Sequence, residues 1–227
     1  MPGEANECPM PIWTCWNHWI AVCTGDQAGL MSILGLSQPE PVTFAQAQEV
    51  IDSDGHDDVE DGRCLSRVFV TPEADGWTLI FGAWCDPYDS RRRQEVLDLC
   101  RELSTRYGRA QAYYYGAQGD GSTWLVAEHG TVLRRYSAVG LDDELLALGA
   151  PLPQERAAWH EQLGYPADWD PSAAGEEEAE EWEAVAFDLA PEIAAAHGVS
   201  PLSLSQETQV RGTGVLALTP WAAARPA

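Results

Sequence analysis

Between residues 109 and 136 the apolar positions fall into three short runs parted by two glycine-bearing breaks (RAQAYYYGAQGDGSTWLVAEHGTVLRRY). Residues 110–117 are rich in aromatics, 123–128 hold an apolar stretch from Trp124 to Ala127, and 131–136 alternate. In that third run Val132, Arg134 and Tyr136 share one side, and Leu133 and Arg135 the other. A period of two marks a strand, and Gly119-Asp120-Gly121 and His129-Gly130 supply the left-handed backbone that tight hairpins need. The stretch therefore predicts a three-stranded meander.

The same patterning extends in both directions. Residues 12–23 (IWTCWNHWIAVC) are apolar enough for a buried strand, and Leu30, Ile33 and Leu34 have helical spacing within 26–36, with Thr24 able to cap. A second short helix is predicted over 43–51, with Pro39 and Pro41 as breakers before it and an acidic loop over 52–62 after it. Residues 66–84 read as two β-rich runs around Asp75-Gly76, a hairpin signal. Asp86-Pro87 then breaks the chain, and Asp89 or Ser90 can cap a helix in which Val96, Leu99, Cys100, Leu103 and Tyr107 share a face, ending at Gly108.

Hairpin, helix, meander is thus the predicted heart of an α+β fold, a mostly antiparallel sheet with helices packed on one face. Short helices are predicted over 141–148 and 153–163. Residues 164–175 have linker composition, and 176–183 (EEEAEEWE) hold six Glu in eight positions. Helix resumes over 184–197, with Pro191 in the first turn of a second segment. Residues 215–218 (VLAL) predict a last short strand and 219–227 a tail. Residues 1–163 therefore form the expected core and 164–183 an acidic linker or insertion, while 184–227 complete the same domain.

Charge sharpens this picture. The 227 residues carry 36 acidic and 13 basic side chains, a net charge of −23, and every basic residue is Arg. Nucleic acid is a poor partner for such a field, since Arg91-Arg92-Arg93 is the one basic cluster. Ten Trp are scattered along the chain, as core and rim anchors would be rather than one stacking platform. No run approaches the ~20 apolar residues of a membrane span. The chain opens without the basic and apolar regions of a signal peptide, which implies a cytoplasmic protein whose six Cys are mostly reduced.

Few motifs carry chemistry. Residues 193–204 (IAAAHGVSPLSL) have the outline of a helix-turn-helix, but the second helix would present no basic residue before Arg211. A calcium loop counted from Asp52 would place Asp57 and Arg63 where Gly and Glu are required. Cys8, Cys15, His18 and Cys23 lack the paired spacing of a zinc knuckle. Cys85 adjoins Asp86, which raises rather than lowers a thiol pKa. Nucleophile-elbow, phosphate-loop and zinc-protease motifs do not occur, so no catalytic residue, metal or cofactor is assigned.

Two candidate sites follow. Glu176, Glu177, Glu178, Glu180 and Glu181, with Trp182 as an aromatic anchor and Asp57, Asp58, Glu60 and Asp61 in the earlier acidic loop, could dock a basic protein. Alternatively Trp77, Tyr113, Tyr115 and Trp124 could line an aromatic pocket for a small molecule, as in a self-resistance protein or enzyme. An acidic mimic of nucleic acid is a third reading.

Gly-Trp-Thr-Leu at 76–79, Ala110-Gln111-Ala112-Tyr113, the Trp124 strand, Leu133-Arg134-Arg135-Tyr136 and Gly-Val-Ser-Pro-Leu-Ser-Leu at 198–204 resemble a family of uncharacterised bacterial α+β proteins. That group is in turn similar to the single-domain immunity proteins that neutralise bacterial toxins. The resemblance implies an acidic, cytoplasmic, non-enzymatic protein with a basic protein partner, possibilities that fold alone does not decide. It carries over no functional residue.

Overall fold

A computed structural model describes residues 9–12, 14, 16–56, 62–116, 120–139 and 147–223. Its first half comprises β1 (Trp16–Val22), α1 (Gln27–Ile33), β2 (Ser37–Pro41), α2 (Phe44–Gly55), β3 (Arg67–Val70), β4 (Glu73–Ala74), β5 (Thr78–Phe81) and α3 (Arg93–Tyr107). The meander follows as β6 (Arg109–Gly116), β7 (Gly121–Glu128) and β8 (Thr131–Ser137). The chain closes with α4 (Pro153–Leu163), α5 (Glu176–Ala186), α6 (Ala190–His197), β9 (Val210–Arg211), β10 (Val215–Leu218) and α7 (Pro220–Ala223).

Eight strands form one sheet in the order β2-β10-β3-β5-β1-β6-β7-β8, and all its pairings are antiparallel. The α+β class and the hairpin, helix and meander stand as the pattern predicts. Asp75 and Gly76 both take positive φ between β4 and β5, as a tight hairpin turn demands.

The helices, however, cover both faces of the sheet. In β1, Trp19 and Ala21 point to one face and Ile20 and Val22 to the other, and all four are fully buried. A central strand with two covered faces shows a continuous apolar run rather than alternation. On the first face α2, α4, α5 and α6 pack over Trp19, Phe81, Tyr113 and Trp124. On the second, α1 and α3 contribute Leu30, Val96, Cys100 and Leu103.

Several local expectations are corrected by packing. Pro39 and Pro41 separate α1 from α2 as expected, and the segment that holds them is the edge strand β2, where a missing N–H is tolerated. Helix α2, capped by Thr43, runs on to Gly55 and so absorbs the start of the predicted acidic loop. Asp54 is buried there and takes 2.9 Å and 2.5 Å hydrogen bonds from Arg67. Asp26 rather than Thr24 caps α1, accepting from the Gly29 amide at 3.0 Å. A bulge between Val126 and Ala127 opposite β8 pairs Val132 with Ala127 and Arg134 with Val126, which sends those two β8 side chains to opposite faces. The predicted helix over 141–148 lies largely outside the described residues.

The stretch over 164–183, expected as an acidic linker or insertion, carries tryptophans that pack with one from α4. Trp169 meets Trp159 edge-on at 5.2 Å and Trp182 at 6.4 Å, and Trp159 meets Trp182 at 5.4 Å. The Trp159 indole donates to the Pro166 carbonyl at 3.2 Å. Pro, Gly and Asp set the loop composition, while the aromatics between them seat the loop on the core.

Where α6 ends, burial pushes the His197 pKa below its usual 6.5; Glu128 opposes the shift and Arg109 adds to it. The folded chain therefore takes up this proton less readily than the unfolded one. Its contribution to stability is present above about pH 6.5 and is lost as pH falls through the depressed folded value. Thermal melts taken from neutral to mildly acidic pH should show a falling midpoint, with a shallower fall in His197→Gln. Equal slopes for the two proteins would exclude His197 as the source.

Candidate functional site

Helix α5 begins with Glu176, Glu177 and Glu178, whose charges favour the positive end of the helix dipole. Glu178 also accepts from the Gly175 amide at 3.1 Å. Farther along, Glu176 faces Glu180 and Glu177 faces Glu181 at i,i+4, each like pair opposing the helix by ~0.2–0.5 kcal/mol. Burial of Trp182, on the order of 4 kcal/mol for an indole taken out of water, outweighs that repulsion. The helix exists because its Trp docks, and the docking turns the carboxylates outward.

Glu176, Glu177, Glu178, Glu180 and Glu181 are all exposed. No arginine among the described residues forms an ion pair with them. Glu181 instead accepts a 2.5 Å bond from the Tyr165 hydroxyl, and with help from burial and the neighbouring glutamates this raises the Tyr165 pKa to about 12. Glu183 is partly covered, and burial followed by Glu180 raises its pKa.

Beside this face lies a groove of about 540 Å³ between α4, α5 and α6. Leu163, Val185 and Leu189 supply its apolar surface, and Glu181, Asp188 and Glu192 its charge. Asp188 also accepts from the Tyr115 hydroxyl at 3.3 Å, which ties the rim to the sheet.

The remaining candidates separate. Trp182 is only 1% exposed and belongs to the tryptophan cluster, so it cannot be the surface anchor expected of it; an indole amid glutamates in sequence is the one side chain of that helical turn facing the core. Asp57, Asp58, Glu60 and Asp61 lie outside the described residues. Trp77, Tyr113 and Trp124 are buried in the core. Tyr113 stacks on Trp19 at 4.9 Å, Trp124 packs on Tyr136 at 5.0 Å, and Trp77 is covered by Arg109. Of that group only Tyr115 is partly exposed.

Nor do the other motifs assemble. His18 shares the Ile20 and Val22 face of β1, whereas Cys23 packs with the opposite face, so the two cannot share an ion. Cys8 and Cys15 lie outside the described residues. Among the described residues no three His, Cys, Asp or Glu side chains converge as a metal site would require. Burial, more than neighbouring Asp86, pushes the Cys85 thiol up to about 12. After α6 the chain makes only a short turn at Pro201–Ser203 where a recognition helix would have to begin. No helix among the described residues is long and apolar enough to cross a membrane.

The glutamates stand out in the sequence, whereas Asp188, in the turn after α5, and Glu192, on α6, are single carboxylates outside the run and carry no local signal. Together these features define an antiparallel α+β protein with an acidic, partly apolar helical surface. Compared with protein-family models, curated proteins and solved structures, the chain matches none.

Proposed function

We propose that this chain is a non-enzymatic binding protein that docks a basic protein, in the manner of an immunity protein occluding a toxin, through α5 and the adjoining groove. The observation that carries this reading is a row of five exposed glutamates beside a groove with an apolar surface and a carboxylate rim. Such a groove fits an Arg or Lys side chain. The aliphatic stem lies on Leu163, Val185 and Leu189, and the charged head meets Glu181, Asp188 or Glu192. Exposed carboxylates steer encounter more than they hold a complex, so the association rate and its salt dependence are the relevant readouts.

The test begins with a pull-down from host lysate at low salt, followed by purification of the retained protein and surface plasmon resonance at several salt concentrations. The partner should be basic, and changing Glu176, Glu177, Glu178, Glu180 and Glu181 together to Gln should slow association about tenfold or more and flatten its salt dependence. A partner whose association ignores those five changes, or the absence of any retained protein, would overturn the reading.

A further inference from the structure

A second concavity lies on the other face of the sheet and shares no residue with the acidic groove. It encloses about 270 Å³, slightly below the ~300–1,000 Å³ of ordinary ligand pockets, and its surface is mainly apolar. Trp16, Tyr88 and Tyr114 supply aromatic walls. His18 and Tyr114 are register partners on β1 and β6, with ring centroids 5.0 Å apart.

The charged side chains of this pocket are two aspartates and one arginine, with His18 beside them. His18 Nε2 lies 3.3 Å from Asp86 Oδ2, and both side chains are mostly buried. Asp86 Oδ1 accepts from the Tyr88 amide at 2.7 Å, which holds the carboxylate in place. When Nε2 donates to Asp86, Nδ1 of His18 is left as an acceptor. Asp89 adds a second carboxylate, and it engages Arg91, the pocket's one arginine, through bonds of 2.7 Å from the amide and 3.0 Å from Nε. An anionic ligand would therefore compete with Asp89 for its counter-charge.

Catalysis has no obvious agent here. Cys64 lines the pocket, but burial raises its pKa and so disfavours the thiolate. The Tyr114 hydroxyl is likewise pushed up, first by burial and then by Asp120, Asp86 and Tyr88.

We propose that this pocket binds a compact organic amine, its ammonium group held by Asp86 and His18 and its apolar body against Trp16, Tyr88 and Tyr114. Aromatic walls and a fixed carboxylate are the two features that recognise an organic cation, the first through ring quadrupoles and the second by charge-assisted hydrogen bonding.

Three probes with one carbon skeleton test the idea by calorimetry: phenethylamine, its alcohol analogue and phenylacetate. The amine should bind saturably, and the neutral and anionic probes about tenfold more weakly or not at all. Asp86→Asn, which keeps an oxygen for the Tyr88 amide, should weaken the amine about tenfold. Tyr88→Ala, at a partly exposed position, provides a second variant should the first fail to fold. Because any cation is drawn to a chain of net charge −23, the five-Gln variant of α5 is the decisive control. Unchanged amine affinity in that variant supports the pocket and is independent of the docking reading. Affinity that falls with the α5 charge, equal binding of amine and alcohol, or indifference to both pocket variants would overturn it.

Discussion

Replacing Glu155 by alanine should lower the free energy of unfolding by about 3–5 kcal/mol, the usual cost of stranding one member of a buried ion pair. Glu155 on α4 is fully buried, and Arg134 on β8 is 4% exposed. Arg134 Nε and Nη2 both donate to the carboxylate, the shortest contact being 2.6 Å, and Nη1 donates to the Gly149 carbonyl at 2.8 Å. The Leu152 amide and, more loosely, the Trp124 indole complete the acceptor side at 2.7 Å and 3.4 Å. With so many donors aimed at one carboxylate, its loss leaves a guanidinium, an amide and an indole without their partner in a region that water does not reach. Converting both members to apolar residues, Arg134→Met with Glu155→Leu, should recover much of the loss, because the penalty lies in the uncompensated charge. Urea denaturation followed by tryptophan fluorescence measures all three proteins. A cost below ~1 kcal/mol for Glu155→Ala would mean that water reaches the site.

Trp182→Ala should cost a similar ~3–5 kcal/mol, the range for removing a large buried aromatic. The reason is specific to this helix. Trp182 packs on Trp159, Trp169 and Tyr136, and with Ala186 it supplies the buried side chains of α5. Without it the like-charge repulsion among the glutamates is no longer offset, and α5 should open locally before the sheet does. Hydrogen exchange should then accelerate over 176–186 while amides of β1, β6 and β7 stay protected. Trp182→Phe should keep most of that protection. If α5 amides exchanged no faster in Trp182→Ala, the helix would have to be held by something other than its indole. The same variant bears on the docking surface, since five glutamates on a loose segment present no fixed array and should slow partner association even with every charge retained.

Much of the architecture is legible in the chain. Period-two runs with Gly-bearing breaks specify the meander, because the alternation and the positive-φ turns are properties of a few adjacent residues. Helix α4 is found over the predicted residues, and Pro191 stands in the first turn of α6 as its missing N–H requires. The glutamate run, the excess of carboxylates and the lack of lysine are likewise plain from composition.

What the chain does not display is which partner each element finds. The VLAL run reads as a strand, yet only the folded sheet inserts it between β2 and β3, where edge prolines become acceptable. The two-sided burial of β1 decides that helices must cover both faces. Trp182 reads as an anchor among charges until the turn of α5 points it inward, and the aromatics at 77, 113 and 124 read as a pocket until they pack on one another's neighbours. Arg134 with Glu155, and His18 with Asp86, come from separate elements. Local period and charge are short-range properties and survive in the linear order of residues. Face, depth and partner depend on where distant segments close over one another, and for those the tertiary structure alone is decisive.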